Sequence, residues 1–141
     1  MTDDAIRYIA QSLHFLRTLN VQKCYGLTSA SLLHIAEHCS QLEVQYFDIE
    51  NESETTERAV ETFSQKCTRI EYLNIYSEFI LCHTTCTASL LKNCSNLRTL
   101  VVNKYENITR TTRELCAIVN PHLKILVHDK STEYNVLTMP V

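Results

Sequence analysis

Short apolar stretches recur along this chain at near-constant intervals, separated by polar turns and helical patterns. The segments starting at Leu16, Leu42, Ile70, Leu97 and Leu123 read LRTLNV, LEVQYF, IEYLNI, LRTLVV and LKILVH. They follow L-x-x-L-x-L, with Gln45 and His128 as the departures, and they start 26, 28, 27 and 26 residues apart. Runs rich in β-branched and aromatic residues, bounded by polar turns, predict strands. Between them, hydroxyl residues stand ahead of apolar residues at helical spacing: Thr28 and Ser29 before Leu32, Leu33, Ile35 and Ala36; Thr55 and Thr56 before Ala59, Val60 and Phe63. Thr87 precedes Leu90 and Leu91, and Thr111 and Thr112 precede Leu115, Ile118 and Val119. A side-chain oxygen just ahead of such a pattern accepts a free N–H of the first turn, so these positions are expected to be N-caps. A further helix is predicted over Asp4–Leu13, with Ala5, Ile6, Ile9, Ala10 and Leu13 on one face.

A second periodic signal locks onto the first. Cys39-Ser40-Gln41-Leu42, Cys67-Thr68-Arg69-Ile70 and Cys94-Ser95-Asn96-Leu97 share Cys-[Ser/Thr]-polar-[Leu/Ile] at intervals of 28 and 27 residues. Each period holds one strand and one helix. Neither buries its apolar side alone, so neighbours must stack around a continuous core. The reading is one domain over 1–141: an N-terminal helix in 1–13, repeats in 14–128, and a C-terminal tail or cap in 129–141. In that tail Leu137, Met139 and Val141 are the residues expected to cover the last strand.

Period, strand pattern and cysteine turn together resemble the cysteine-containing leucine-rich repeats of F-box/leucine-rich repeat proteins, over about residues 4–128. The resemblance implies an α/β solenoid of the ribonuclease-inhibitor-like kind, with about five parallel strands on a concave face and helices on the convex face. It also implies the substrate-binding part of an SCF-type ubiquitin-ligase receptor, with SCF components as partners if an F-box lies upstream. The alternative is a scaffold or assembly factor of the same repeat class, unconnected to ubiquitin. The family's second polar or Cys position is kept only at Cys24; later repeats place Glu50, Glu78, Tyr105 and Ser131 there.

In such a solenoid the leucine positions point inward, and the residues between them line the concave face. The expected protein-binding surface is therefore Val44, Tyr46, Tyr72, Asn74, Tyr76, Val101, Asn103 and Ile125. Stacked strands lie about 4.8 Å apart, which would make Tyr46, Tyr72, Tyr76 and Val101 contiguous. Tyrosine offers rigid contact area plus a hydroxyl, and concave sheets are the usual recognition surfaces of solenoids.

Composition removes other functions. The chain has 141 residues, one glycine and two prolines. Phosphate-cradling loops, dinucleotide fingerprints, the nucleophile elbow and the EF-hand all need glycines that Gly26 alone does not supply. A net charge of −3 without a basic block gives no footprint for nucleic acid, and no apolar run approaches the ~18 residues of a membrane span. Seven cysteines without a secretory leader predict reduced thiols and a cytoplasmic or nuclear protein. The best metal cluster, Cys82, His83 and Cys86 with Cys94 nearby, lacks the second paired chelate of zinc modules. The carboxylates Glu50, Glu52, Glu54 and Glu57 read as a solvated loop. No metal, cofactor, membrane or nucleic-acid partner is expected, and no catalysis.

Overall fold

The computed structural model describes residues 1–48, 54–76, 84–102, 110–128 and 134–137. Strand and helix alternate in the order α1 (Asp3–Ser12), β1 (Thr18–Val21), α2 (Ser29–His38), β2 (Val44–Asp48), α3 (Glu54–Lys66) and β3 (Tyr72–Tyr76). They continue as α4 (Thr84–Asn93), β4 (Thr99–Val102), α5 (Arg110–Val119), β5 (Lys124–His128) and β6 (Tyr134–Leu137). β1 to β5 pair in parallel in sequence order, and β6 adds antiparallel to β5, setting Leu137 opposite Ile125. The result is an α/β solenoid of the leucine-rich repeat kind, in which the tail expected to cover the last strand pairs with it as a further strand, β6.

One turn, repeated five times, sets the geometry. Leu13, Cys39, Cys67, Cys94 and Asn120 each donate their N–H to the carbonyl four residues back, ending a helix. Each then accepts from the N–H three residues on, at Leu16, Leu42, Ile70, Leu97 and Leu123. The side chain at this position reaches back one repeat. The Cys39 thiol meets the carbonyls of Ala10 and Leu13 at 3.8 and 3.7 Å, and that of Cys67 meets Cys39 O at 3.6 Å. The thiol of Cys94 meets Ser64 O and Cys67 O, both at 3.7 Å. In the last repeat the amide of Asn120 donates to Leu97 O at 2.7 Å. Carbonyls at helix ends lack intrahelical partners, and a small, weakly polar donor satisfies them without opening the core.

The core behind the sheet is continuous, built from residues such as Ile6, Leu32, Ile35, Phe47, Phe63, Leu73, Leu90 and Leu100. Helix starts differ from the hydroxyl pattern in three places. Thr28 does cap α2, its side chain accepting from Ala30 N–H. Thr56, Thr87 and Thr112, by contrast, lie inside α3, α4 and α5, which begin earlier, and all three are buried. A threonine hydroxyl can bond within a helix, although the Thr87 hydroxyl in α4 has no hydrogen-bond partner. Asp3 of α1 adds a cap across repeats: its carboxylate accepts from the Thr28 N–H at 2.9 Å, the Thr28 hydroxyl at 2.8 Å and the Ser31 hydroxyl. Burial pushes this carboxyl up, but the bonds from Ser31 and Thr28 outweigh it and hold it below the usual value. In the turn after β1, Gly26 has φ +98°, a conformation that favours glycine.

Gln45 breaks the inward leucine pattern. It is fully buried in register with Leu19 and Leu73; its amide donates to Tyr46 O at 3.3 Å, while Oε1 has no partner. A buried unsatisfied carbonyl costs about 1–3 kcal/mol. Gln45→Leu, which restores the pattern, is therefore expected to raise unfolding free energy by about 1–2 kcal/mol in urea titrations. A lower midpoint would contradict this account of the core.

The thiol ladder predicts an alkaline limit. Burial pushes Cys67 from an ordinary 9.0 to about 12, with Cys94 and Cys39 adding to the rise, and burial pushes Cys94 to about 11. Above pH 9 the unfolded chain loses thiol protons that the folded chain keeps, so stability falls as pH rises from 9 towards 11. Each such group contributes a slope of up to about 1.4 kcal/mol per pH unit. Replacing Cys67 and Cys94 with alanine should flatten this part of the stability profile, while lowering stability at pH 7.

Candidate functional site

Three consecutive strands begin with the same local device. The N–H groups of Glu43 and Val44 both point at Arg17 O, at 2.8 and 3.0 Å. Glu71 and Tyr72 share Glu43 O, and Arg98 and Thr99 share Glu71 O, each pair at 2.8 and 3.1 Å. One residue per repeat is thereby inserted ahead of the strand, bulge-like, and side chains resume strict alternation after it. The row nearest the strand starts is Thr18, Val44, Tyr72, Thr99 and Lys124; the next row on that face is Asn20, Tyr46, Asn74, Val101 and Leu126.

These rows form the concave face. Val44, Tyr46 and Tyr72 are partly exposed there, and the rings of Tyr46 and Tyr72 approach to 4.9 Å between centroids at 38°. This tilted contact falls in the range in which aromatic pairs attract. Asn74 and Val101 sit in the second row but are only 4% and 1% exposed. Val101 is buried without joining the core cluster, as its place on the opposite face requires. They form a closed floor beside the tyrosines rather than an open surface. The side chain of Tyr76 and the whole of Asn103 lie outside the described residues, as do Glu50, Cys82 and His83.

Ile125 is a correction. Its expected place on the concave face came from aligning Leu123 with the first leucine of the other strands. The last repeat lacks the inserted residue: Lys124 N–H alone bonds Arg98 O, at 2.8 Å, and Lys124 pairs with Thr99. A one-residue shift exchanges the faces of a strand. Ile125 therefore pairs with Leu100 and is fully buried, while Lys124 and Leu126 take the concave positions. The signal was present in the sequence. Six residues separate Cys39 from Gln45, and also Cys94 from Leu100, but five separate Asn120 from Ile125.

Chemistry on the rest of the surface is sparse. Cys86, Cys94 and Cys116 are buried, and burial raises each to about 11, so at neutral pH they are protonated. Among the described residues, no group of three or more His, Cys, Asp or Glu is placed to hold a metal ion, and no helix is long and apolar enough to cross a membrane. Glu43 lies 3.8 Å from Arg17 and 3.3 Å from Arg69, an exposed pairing of small energetic weight. A groove of about 690 Å³ opens on the convex side between α4 and α5, lined by Leu91, Leu115, Val119 and Pro121 among others.

No family model matches the sequence. Among curated proteins it is similar to coronatine-insensitive protein 1 of Arabidopsis thaliana, 29% identical over 92 residues. That span is 64% of this chain and 16% of the relative, so the similarity covers about a sixth of the relative's length. The similarity is distant.

The register itself can be tested. Ile125→Ala should cost about 2–4 kcal/mol, as for a buried aliphatic side chain, whereas Lys124→Ala should stay within about 0.5 kcal/mol. Chemical denaturation of the two variants decides between the observed and the unshifted register, which would reverse their order.

Proposed function

We propose that this chain is a non-catalytic protein-recognition module whose concave sheet binds a protein partner. The observation that carries the reading is the Tyr46–Tyr72 pair, set on the face of a parallel sheet turned away from the core. Val44, Thr99, Lys124 and Leu126 extend that face on either side. An aromatic pair on a rigid floor suits recognition, because little side-chain entropy remains to be lost on binding. The distant relationship to an F-box/leucine-rich repeat protein supports a protein-interaction role. Gln45 adds to this: the break in the core pattern falls on β2, bonded to the backbone of Tyr46. Departures from folding rules are expected where function imposes them.

Within that reading, we propose the more specific role of a substrate-binding segment of an SCF-type ubiquitin-ligase receptor. Adaptor contacts would be made by an F-box in the same polypeptide, and the protein would act in the cytoplasm or nucleus. A scaffold of the same repeat class without a ubiquitin connection is the competing reading.

Affinity capture from a lysate of the source organism, with wild type and Tyr46→Ala/Tyr72→Ala compared by quantitative mass spectrometry, tests both levels. A specific protein should fall at least about tenfold in the variant, as for loss of a hot spot of ~1.4 kcal/mol or more. The variant should lose no more than about 1.5 kcal/mol of stability beyond its area loss. Retention of every partner by a folded variant would remove the concave-face reading. Partners lacking any cullin-ligase component or ubiquitylated substrate would favour the scaffold.

A further inference from the structure

The open part of the concave face is narrower than the sheet. In the row nearest the strand starts, Thr18, Val44, Tyr72, Thr99 and Lys124 are all exposed or partly exposed, one on each parallel strand. In the next row Asn74 and Val101 are buried, so over β3 and β4 only the first row is open. Between Tyr72 and Lys124 this leaves a track one side chain wide that crosses the strands.

The two ends of the track differ in chemistry. At one end the rings of Tyr46 and Tyr72 meet at 4.9 Å, with Val44 paired to Tyr72 beside them. At the other stands Lys124, exposed, whose N–H bonds the carbonyl of the equally exposed Arg98 at 2.8 Å. The cations nearer β1 are engaged, since Arg17 and Arg69 both pair with Glu43. Among the described residues, Arg98 and Lys124 have no carboxylate partner. Glu71, exposed at the start of β3, adds polarity: like charges repel, so a carboxylate from a partner is turned away from the tyrosine end.

Spacing restricts what fits both ends at once. Tyr72 and Lys124 stand two strands apart, roughly 9.6 Å at about 4.8 Å per strand. A polyproline II segment returns to the same side every third residue, after about 9.3 Å. Such a segment needs no backbone partner, and the face of a paired sheet offers none.

We propose that the concave face takes an extended, polyproline II-like segment of its protein partner. An apolar residue of that segment lies on the Tyr46–Tyr72 pair, and an aspartate or glutamate about three residues away meets Lys124 and Arg98. This rests on the concave-face reading above and adds to it the class of segment recognised. Aromatic surfaces suit such segments because their backbone is already ordered before binding, so less entropy is lost. The tyrosines supply contact area. The two cations fix the register, because charges at the rim of an interface act on specificity more than on raw affinity.

Panning a random peptide display library on the full chain, followed by fluorescence anisotropy on the enriched peptides, tests the inference. Enriched peptides should share an apolar residue with Asp or Glu about three residues from it. Changing that acidic residue to its amide should weaken binding at least about fivefold at low salt, and less as salt rises. Lys124→Glu in the chain should do the same, and should turn the preference towards peptides with Lys at that position. Because Lys124 is exposed, the variant should keep the wild-type urea midpoint. Peptides lost with Tyr46→Ala/Tyr72→Ala but unmoved by Lys124→Glu overturn this inference and leave the concave-face reading standing. So does an enriched spacing of about seven residues, which a helix would need to span the same distance, or a library that enriches nothing. Peptides that bind the folded double tyrosine variant as well as wild type overturn the concave-face reading itself.

Discussion

Everything in this fold depends on how a helix end is satisfied. A solenoid brings helix after helix to the same edge, and each leaves carbonyls that the next turn must cover. Cys39, Cys67 and Cys94 do this with a thiol, which is compact enough to be fully buried and polar enough to meet a carbonyl at 3.6–3.8 Å. A serine would meet the same carbonyl with a stronger donor and a shorter reach; an alanine would leave it with the turn N–H alone. Asn120 reaches a different carbonyl, Leu97 O, with a longer arm, at the point where the repeat loses one residue. Each repeat from the second to the fifth is thus bonded to the one before it from its turn residue.

The next constraint is the number of residues between turn and strand. In the second, third and fourth repeats an inserted residue lets two N–H groups share one carbonyl, and this sets which side chains face the helices. In the fifth the insertion is missing and the faces exchange. Ile125 then completes the core under Leu100, and Lys124 brings a charge to the concave rim. A single residue in a turn thus changes the chemistry of the concave face without disturbing the sheet. Leu137, opposite Ile125, shows that the same strand also carries the closing β6.

These particulars explain what could be read from the chain. The repeat was legible because Cys-[Ser/Thr]-polar-[Leu/Ile] marks a physical requirement, and the placing of Val44, Tyr46 and Tyr72 on one face followed from strand alternation. Leu123 and Leu126 keep the L-x-x-L spacing although Leu126 faces away from the core, so the shift was visible only by counting from Asn120. Thr56, Thr87 and Thr112 looked like caps because a hydroxyl beside an apolar run has the same local sequence whether it bonds a first-turn N–H or lies inside the helix. The burial of Asn74 and Val101 depends on neighbours from other repeats, which periodicity does not rank. β6 escaped because an antiparallel edge strand has no partner within its own period.

The core and the candidate site occupy opposite faces of the same strands, and this separation gives the candidate site its freedom. The inward face is fixed by stacking: a change there, such as Gln45, leaves a buried oxygen without a partner. The outward face is fixed only by alternation, so aromatic, aliphatic and charged residues are accepted in one row, as Tyr72, Val44 and Lys124 show. The two faces meet at β2. There the Gln45 amide is bonded to the backbone carbonyl of Tyr46, so the imperfect core position and the half-exposed ring share one segment of main chain. A leucine at position 45 would pack better but would leave that carbonyl without the amide, a contact made within β2 itself.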